Sequence, residues 1–199
     1  MLTRKYEQKR RAEQQEETRR RIAEAAFALH REIGPARTTI KAIAERAGVE
    51  RLTVYRHFAD EGALFAACDA HFRSETPPPD PAAWADITDP PARLGAALLA
   101  LYGYYRRGED LIALAQRDAP LVPALAALTT PWDETVEAVR EDLEARWPAR
   151  NRARLAAAIG HALRFDTWRS LARVEGLDDA DAAELMVDLV RAAEASEPQ

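Results

Sequence analysis

Residues 50–57 concentrate side chains that could form hydrogen bonds to the bases and phosphates of a nucleic acid. Val49, Val54 and Phe58 have the spacing of an inward-facing edge, which predicts a short helix anchored from beneath. The outward positions carry only polar or amphipathic residues, namely Glu50, Arg51, Thr53, Tyr55, Arg56 and His57. Guanidinium and hydroxyl groups bind base edges and phosphate oxygens, and a helix fits a DNA major groove about 12 Å wide. The pattern therefore favours DNA recognition.

A second short helix would hold this first one in position. Its inward face consists of small and aliphatic residues at helical spacing, namely Ile40, Ile43, Ala44 and Ala47. Thr38-Thr39 offers a hydroxyl for the N-cap, and Gly48 suits a tight turn because glycine adopts positive φ without steric cost. Residues 39–58 are therefore predicted to form a helix-turn-helix.

This segment closely resembles the DNA-binding domain of TetR-like transcriptional repressors. The matching string reads Arg21-Ile22-x-x-Ala25-Ala26, then Thr38-Thr39-Ile40-x-x-Ile43-Ala44-x-x-Ala47-Gly48-Val49-x-x-x-Thr53-Val54-Tyr55-Arg56-His57-Phe58, then Leu64. The resemblance covers roughly residues 18–72. It implies that Arg51 and Thr53 read bases and that Lys41 touches a base or a phosphate. It also implies phosphate contacts from Thr39, Tyr55, Arg56 and His57, the DNA being a double-stranded operator.

Two positions depart from the family pattern. Leu52 stands where a small residue, often glycine, is usual, and Asp60-Glu61 stands where a basic residue is common. A carboxylate facing a phosphate is repulsive, so a basic N-terminal arm is a candidate for compensating contacts along the DNA. Its cations are Arg4, Lys5, Lys9, Arg10, Arg11 and Arg19–Arg21. The alternative is a helical interaction protein that kept the fold but lost specific DNA binding.

Charge is distributed unevenly along the 199 residues. Residues 1–58 carry 14 Lys and Arg against 8 Asp and Glu, whereas residues 59–199 carry 14 against 25. A basic end on an acidic body indicates that only this end meets a polyanion.

An enzyme or a metalloprotein is the rival class. The histidines His30, His57, His71 and His161 have no metal-ligand spacing with one another or with Cys68. Cys68 shares a helical pattern with apolar residues, which predicts a reduced thiol in the core. The eight glycines form no phosphate-binding loop. We therefore expect no catalysis, no metal and no cofactor.

The composition predicts an all-α protein. The longest apolar stretch, residues 94–105, has 12 residues and is too short for a membrane span, and no secretory signal opens the chain. We therefore expect a cytoplasmic protein without membrane contacts.

Six of the twelve prolines lie between Pro77 and Pro91, which predicts a stiff linker and a domain boundary near residue 76. The predicted parts are a basic N-terminal extension at 1–17, a three-helix helix-turn-helix DNA-binding domain at 18–76, and a helical ligand-binding and dimerisation domain at 77–199. In the last part helices are predicted to end at Arg106-Arg107-Gly108, to begin at Thr130-Pro131, to span 150–174 and to span 178–195.

Aromatic residues concentrate in the middle of this second domain. A cavity for an unknown apolar or aromatic effector could be lined by Tyr102, Tyr105, Trp132, His161, Phe165 and Trp168, although each could equally fill the core. Asp166 continues an inward stripe, so its buried carboxylate would need either an arginine such as Arg117 or a cationic ligand group. The two C-terminal helices are expected to pair with a second copy, because Ala182, Leu185, Met186 and Leu189 form an apolar face.

Overall fold

The protein is all-α in the computed structural model, which describes residues 2–148 and 150–194, with side chains from Tyr6 onward. Regular structure in these ranges consists of helices and turns, with no strand. The chain forms two compact units. The first comprises Met1–Glu75 and Asp110–Thr129, and the second comprises Thr76–Glu109 and Thr130–Gln199. The first unit is therefore built from two separate stretches of sequence.

The first unit contains four helices of its own, α1 (Leu2–Ile33), α2 (Ile40–Ala47), α3 (Arg51–His57) and α4 (Glu61–Glu75). Short 3₁₀ turns lie at Pro35–Arg37 and Ala119–Leu121. Its core consists of apolar side chains from all four helices, including Ile22, Ala26, Ile43, Val54, Leu64 and Phe65. Burying each large aliphatic side chain stabilises such a core by about 1.5–3 kcal/mol.

Local signals set the ends of α2. The Thr39 hydroxyl accepts a hydrogen bond from the Ala42 amide at 3.2 Å, which satisfies one of the free amides of the first turn. Gly48 ends the helix with φ 65°, the left-handed conformation that glycine adopts without strain. The predicted helix-turn-helix is confirmed at these positions.

The second unit contains parts of two long helices, α5 (Pro90–Asp118) and α6 (Pro123–Ala145), followed by α7 (Arg152–Ala162), α8 (Phe165–Arg169) and α9 (Asp179–Glu194). A π-helical turn at Ser170–Val174 follows α8. Its most deeply buried side chains include Leu94, Leu98, Tyr102, Leu143, Trp147, Leu155, Ile159, Trp168 and Val190. Within the described ranges no helix is both long and apolar enough to cross a membrane.

Three predicted helix boundaries are wrong. Helix α5 continues through Gly108, whose φ is not positive, because a single glycine costs a helix only about 1 kcal/mol. Helix α6 begins at Pro123 and contains Pro131. The helix predicted for 150–174 is interrupted at Arg164, whose backbone is extended at ψ 143°.

The proline-rich segment is packed into the second unit. Residues Pro81–Trp84 form a 3₁₀ turn, and Trp84 is buried. The buried Arg93 donates to the Trp84 carbonyl at 2.7 Å and to Asp142 Oδ2 at 3.0 Å. The stretch predicted as a linker is thus anchored by a tryptophan and an arginine.

Candidate nucleic-acid interface

Helix α3 presents most of the residues that the sequence assigns to DNA. Val54 and Phe58 are 1% and 3% exposed and fix the helix to the core. Arg51, Tyr55 and Arg56 are exposed, whereas Thr53 and His57 are partly buried. The outward face predicted for the helix is thus the face that the structure presents to solvent.

The cations on this surface are largely uncompensated. Within the described ranges, Arg51 and Arg56 form no ion pair with an acidic side chain. Lys41 on α2 lies 3.8 Å from Glu45, but both side chains are about 70% exposed. Such solvated pairs contribute at most about 1 kcal/mol, so Lys41 remains available to an external anion.

The Thr39 hydroxyl can serve two partners. Its oxygen accepts the Ala42 amide, and its own hydrogen remains free to donate. Thr39 is exposed at the first turn of α2, where the partial positive charge of a helix favours anions. Capping the helix is therefore compatible with a phosphate contact.

Two arginines of α1 hold the recognition elements in place. Arg19 donates to the His57 carbonyl and lies 4.2 Å over the Phe58 ring, at the end of α3. Arg21 donates to the Ala47 carbonyl, at the end of α2. Cations at helix C-termini stabilise the carbonyls that lack helical partners. The sequence assigned these arginines to a DNA-contacting arm, and no local periodicity signals the role that the structure gives them.

Neighbouring arm residues form exposed ion pairs within α1. Arg20 pairs with Glu17 and Glu24 at 2.7 Å in each case. Lys9 lies 3.7 Å from Glu13, with both side chains exposed. Arg10 and Arg11 are exposed, and the side chains of Arg4 and Lys5 lie outside the described residues. Contact of the arm with DNA stays a prediction.

The two departures from the family pattern have different structural outcomes. Leu52 is 56% exposed and lies on the outer surface of α3. Asp60 accepts the Ala63 amide at 2.7 Å and is the N-cap of α4. Its carboxylate is hydrogen-bonded to that helix. The exposed Glu61 is therefore the carboxylate that could repel a phosphate.

The end of α5 supports the connection between α1 and α2. The Asp118 carboxylate, 2% exposed, accepts the Ala36 amide at 2.9 Å and the Arg117 guanidinium at 2.7 Å. Hydrogen bonding to Arg117 lowers the pKa of Asp118 in spite of its burial. Arg117 also donates to the Ile33 carbonyl at 3.2 Å. These contacts fix the chain just before α2, and sequence patterns did not reveal them.

Four of the aromatic residues assigned to an effector cavity pack against one another in the second unit. Tyr102 and Tyr105 donate to the carbonyls of Ala162 and Leu163, each at 2.8 Å. The Phe165 ring lies 5.4 Å from that of Tyr105, and Trp168 donates to Asp179 at 2.8 Å. Burial raises the pKa of both tyrosine hydroxyls. These residues have the satisfied contacts of a core.

The other two members of that set lie elsewhere. Trp132 stacks near Tyr104, with ring centres 4.9 Å apart, and lines an apolar cavity of about 20 Å³ together with Trp84 and Leu101. His161 is exposed and lies along an open groove of about 410 Å³ beside Arg140. The six residues therefore do not converge on one cavity, and their contact with an effector stays a prediction.

The expectation for Asp166 is wrong. Its side chain is 65% exposed and lies 3.5 Å from Arg164, so it is not in the core, and Arg117 pairs with Asp118 instead. The extended backbone of Arg164 interrupts the helix, so the inward stripe that ends at Ala162 loses its phase before residue 166.

Cys68 has the predicted character of a core thiol. It is buried, its Sγ lies 3.8 Å from the Ala23 carbonyl, and burial raises its pKa to about 12. Within the described ranges, no three or more His, Cys, Asp or Glu side chains are grouped so that they could hold a metal ion.

Residues 22–68 match the family model described as bacterial regulatory proteins, tetR family. No curated protein matches the chain significantly.

Solved structures of such regulators share the fold over most of the chain. A TetR-like transcriptional regulator from a Rhodococcus species is 18% identical, with a TM-score of 0.65 over 90% of this chain and 97% of that one. A TetR transcription regulator from Haloarcula marismortui is 18% identical, with a TM-score of 0.56 over 92% and 100%. NalD of Pseudomonas aeruginosa, described as the secondary repressor of the MexAB-OprM multidrug efflux pump, is 22% identical, with a TM-score of 0.58 over 90% and 96%.

Proposed function

From a chain that carries the DNA-binding domain of the tetR family and the fold of its transcriptional regulators, we propose a ligand-responsive repressor that binds a pseudo-palindromic operator as a homodimer. In this proposal Arg51 and Thr53 contact base edges in the major groove. Lys41, Thr39, Tyr55, Arg56 and His57 are the proposed contacts to the phosphate backbone or to an adjacent base.

One observation carries the proposal. Helix α3 buries Val54 and Phe58 while it holds Arg51 and Arg56 in solvent without an acidic partner in the described chain. This arrangement leaves two positive charges of one short helix in solvent, where they add no ion pair to the described part of the fold. It is useful where a polyanion is to be bound, since a guanidinium forms paired hydrogen bonds with guanine or phosphate.

The proposed dimer is supported by the exposed face of α9. Leu185 and Leu189 are 40% and 51% exposed one helical turn apart, while Met186 and Val190 face the core. A second copy of α9 and its neighbour α7 would cover these leucines in a four-helix arrangement. Binding of such a dimer to successive major grooves would require its two recognition helices to lie about 34–36 Å apart.

The proposed switch is a change in that spacing. An effector bound within the second unit would stabilise an arrangement of the dimer whose recognition helices no longer match successive grooves. The effector must bind this arrangement more tightly than the DNA-bound one, because equal affinity for both would leave the equilibrium between the two arrangements unchanged.

Selection from a genomic fragment library tests the regulator function. The full chain is incubated with sheared DNA at physiological salt, and the bound fragments are sequenced. Recovery of one pseudo-palindrome that binds at least a thousandfold more tightly than random DNA is the expected result. Uniformly weak, salt-sensitive binding would instead identify an interaction protein that lost specific recognition.

A further inference from the structure

A groove of about 600 Å³ opens on the first unit beside the recognition helix. Its floor is apolar and is formed by the buried side chains of Ile43, Leu64 and Phe65. Lys41 and Arg51 line it as well, from the first turns of α2 and α3. A volume of this size is in the range of small-molecule sites, which is about 300–1,000 Å³.

His30 is a buried polar group that faces this groove. It is 4% exposed, lines the groove, and stacks on Phe65 with ring centres 5.1 Å apart. Neither ring nitrogen has a hydrogen-bond partner within the described part of the chain. Because the side chain lines the groove, its ring nitrogens are available to a molecule bound there.

Asp118 is the acidic residue whose charge acts on His30, and its carboxylate already has hydrogen-bond partners. The Asp118 carboxylate is held by Arg117 and by the Ala36 amide. Burial lowers the pKa of His30 to about 4, although Asp118 opposes that shift. The ring is therefore neutral at pH 7 and offers one donor and one acceptor.

The charges along the groove favour an anion. Arg51 has no acidic partner within the described ranges, and Lys41 is held only by a solvated pair with Glu45. Glu61 is the one carboxylate that lines the groove, and it is exposed to solvent. A ligand that matches this arrangement has a flat apolar body for the Phe65 side and an anionic group for the arginine and the lysine.

We propose that this groove binds a small planar aromatic carboxylate, with its ring beside Phe65 and His30 and its carboxylate at Arg51 and Lys41. The site lies in the first unit and is separate from the effector site proposed in the second. Arg51 and Lys41 are also the proposed DNA contacts, so the carboxylate competes directly with operator DNA. That competition rests on the proposed function, whereas binding of the carboxylate does not.

Calorimetric titration of the full chain with 2-naphthoate, in the absence of DNA, tests the site. One molecule should bind per chain, and Arg51→Gln should weaken binding at least tenfold, because a hydrogen-bonded charge is lost. His30→Phe keeps the stack on Phe65 but removes both ring nitrogens, and it should weaken binding severalfold. Arg56→Gln is the matched control, because Arg56 is exposed on the same helix but does not line the groove.

Two further ligands separate this site from less specific binding. The neutral 2-naphthamide tests the anionic group, and inorganic phosphate tests the apolar body; each should bind at least tenfold more weakly than 2-naphthoate. Equal affinity of either one, unchanged affinity in Arg51→Gln, or no saturable binding of 2-naphthoate would overturn the proposal.

Displacement of DNA tests the competition separately. 2-Naphthoate should lower the affinity for the selected operator in the wild-type chain and have little effect on residual binding by Arg51→Gln. If 2-naphthoate binds through Arg51 but leaves operator affinity unchanged, the competition is wrong while the site stands. If no operator is found, the proposed function fails, and the calorimetry still decides whether the site exists.

Discussion

The guanidinium of Arg19 lies 4.2 Å over the ring of Phe58, the buried residue that follows the recognition helix. The same guanidinium donates to the His57 carbonyl, so it both packs on the ring and caps the helix. A residue of α1 thereby holds the C-terminal end of α3.

Replacing Arg19 with alanine should therefore weaken operator binding indirectly. The lost cation–π contact and capping bond together should lower the free energy of unfolding by about 1–2 kcal/mol. Chemical denaturation and operator titration measure the two effects. Arg20→Ala is the control for stability, since Arg20 forms only exposed pairs within α1 and should leave the free energy of unfolding nearly unchanged. Equal effects of the two substitutions would refute the positioning role.

Arg51 and Arg56 should differ in the kind of DNA affinity that they supply. Arg51→Ala should cost about 1–3 kcal/mol on the selected operator and relax the preference for one base position, as expected for a base contact. Arg56→Ala should weaken binding to all sequences alike and reduce the slope of log affinity against log salt by about 1. Titrations of the operator and its single-base variants at several salt concentrations distinguish the two. Identical profiles would contradict the assigned roles.

Gly34 should tolerate no side chain. Its φ of 89° disfavours other residues, and an added Cβ would lie 2.5 Å from Asp118 Oδ2 and still closer to the Arg117 guanidinium. Gly34→Ala should therefore lower the free energy of unfolding by about 2–3 kcal/mol. Gly176 is the matched control, because its φ is 75° but nothing lies within 4 Å of an added Cβ, so Gly176→Ala should cost only about 1 kcal/mol. Urea denaturation measures the free energy of unfolding of both variants. Similar losses would show that the Asp118 and Arg117 side chains move aside at little cost.

Leu189 should be essential to the proposed dimer. Leu189→Glu places a carboxylate in the covered face of each subunit and removes about 1.5–3 kcal/mol of apolar burial per leucine, so dimer affinity should fall at least a hundredfold. Leu99→Glu is the control, because Leu99 is 50% exposed on α5, outside the proposed interface. Sedimentation velocity across a range of concentrations reports the association state. A dimer that survives Leu189→Glu and dissociates with Leu99→Glu would move the interface elsewhere.

His30 should make stability depend on acidity. Its pKa is lowered from 6.5 to about 4 by burial, so between these values the unfolded chain binds a proton that the folded chain does not. The free energy of unfolding therefore falls as the pH drops from about 6.5 toward 4, by a total on the order of 3 kcal/mol, and is unaffected by His30 above about pH 6.5. His30→Phe removes the titration, so its stability relative to wild type should rise as the pH falls through this window. A difference that stays constant from pH 7 to pH 4 would contradict a buried neutral histidine.

Sequence patterns predicted the helix-turn-helix because its signals are local. The cap at Thr39, the turn at Gly48 and the inward Val54 and Phe58 each act within a few residues. The supporting contacts are not local: Arg19 and His57 are 38 residues apart, and Asp118 and Ala36 are 82 residues apart. No periodicity within a helix reports on such pairs.

The second unit shows where local signals mislead. Pro131 was expected to begin a helix, but α6 begins at Pro123 and continues through it. Asp166 was placed inside by extending a helical stripe across residue 164, where the backbone is extended. A stripe extended across the break therefore does not predict the direction of the Asp166 side chain.

The discontinuity of the first unit has a consequence for biosynthesis. Asp118 belongs to this unit and binds the Ala36 amide, so the growing chain must extend well beyond α4 before the contact can form. Since chains emerge from the ribosome N-terminus first, the helix-turn-helix would be exposed for a period without this support. A gene fragment that encodes only residues 1–76 would leave the product permanently in that incomplete state.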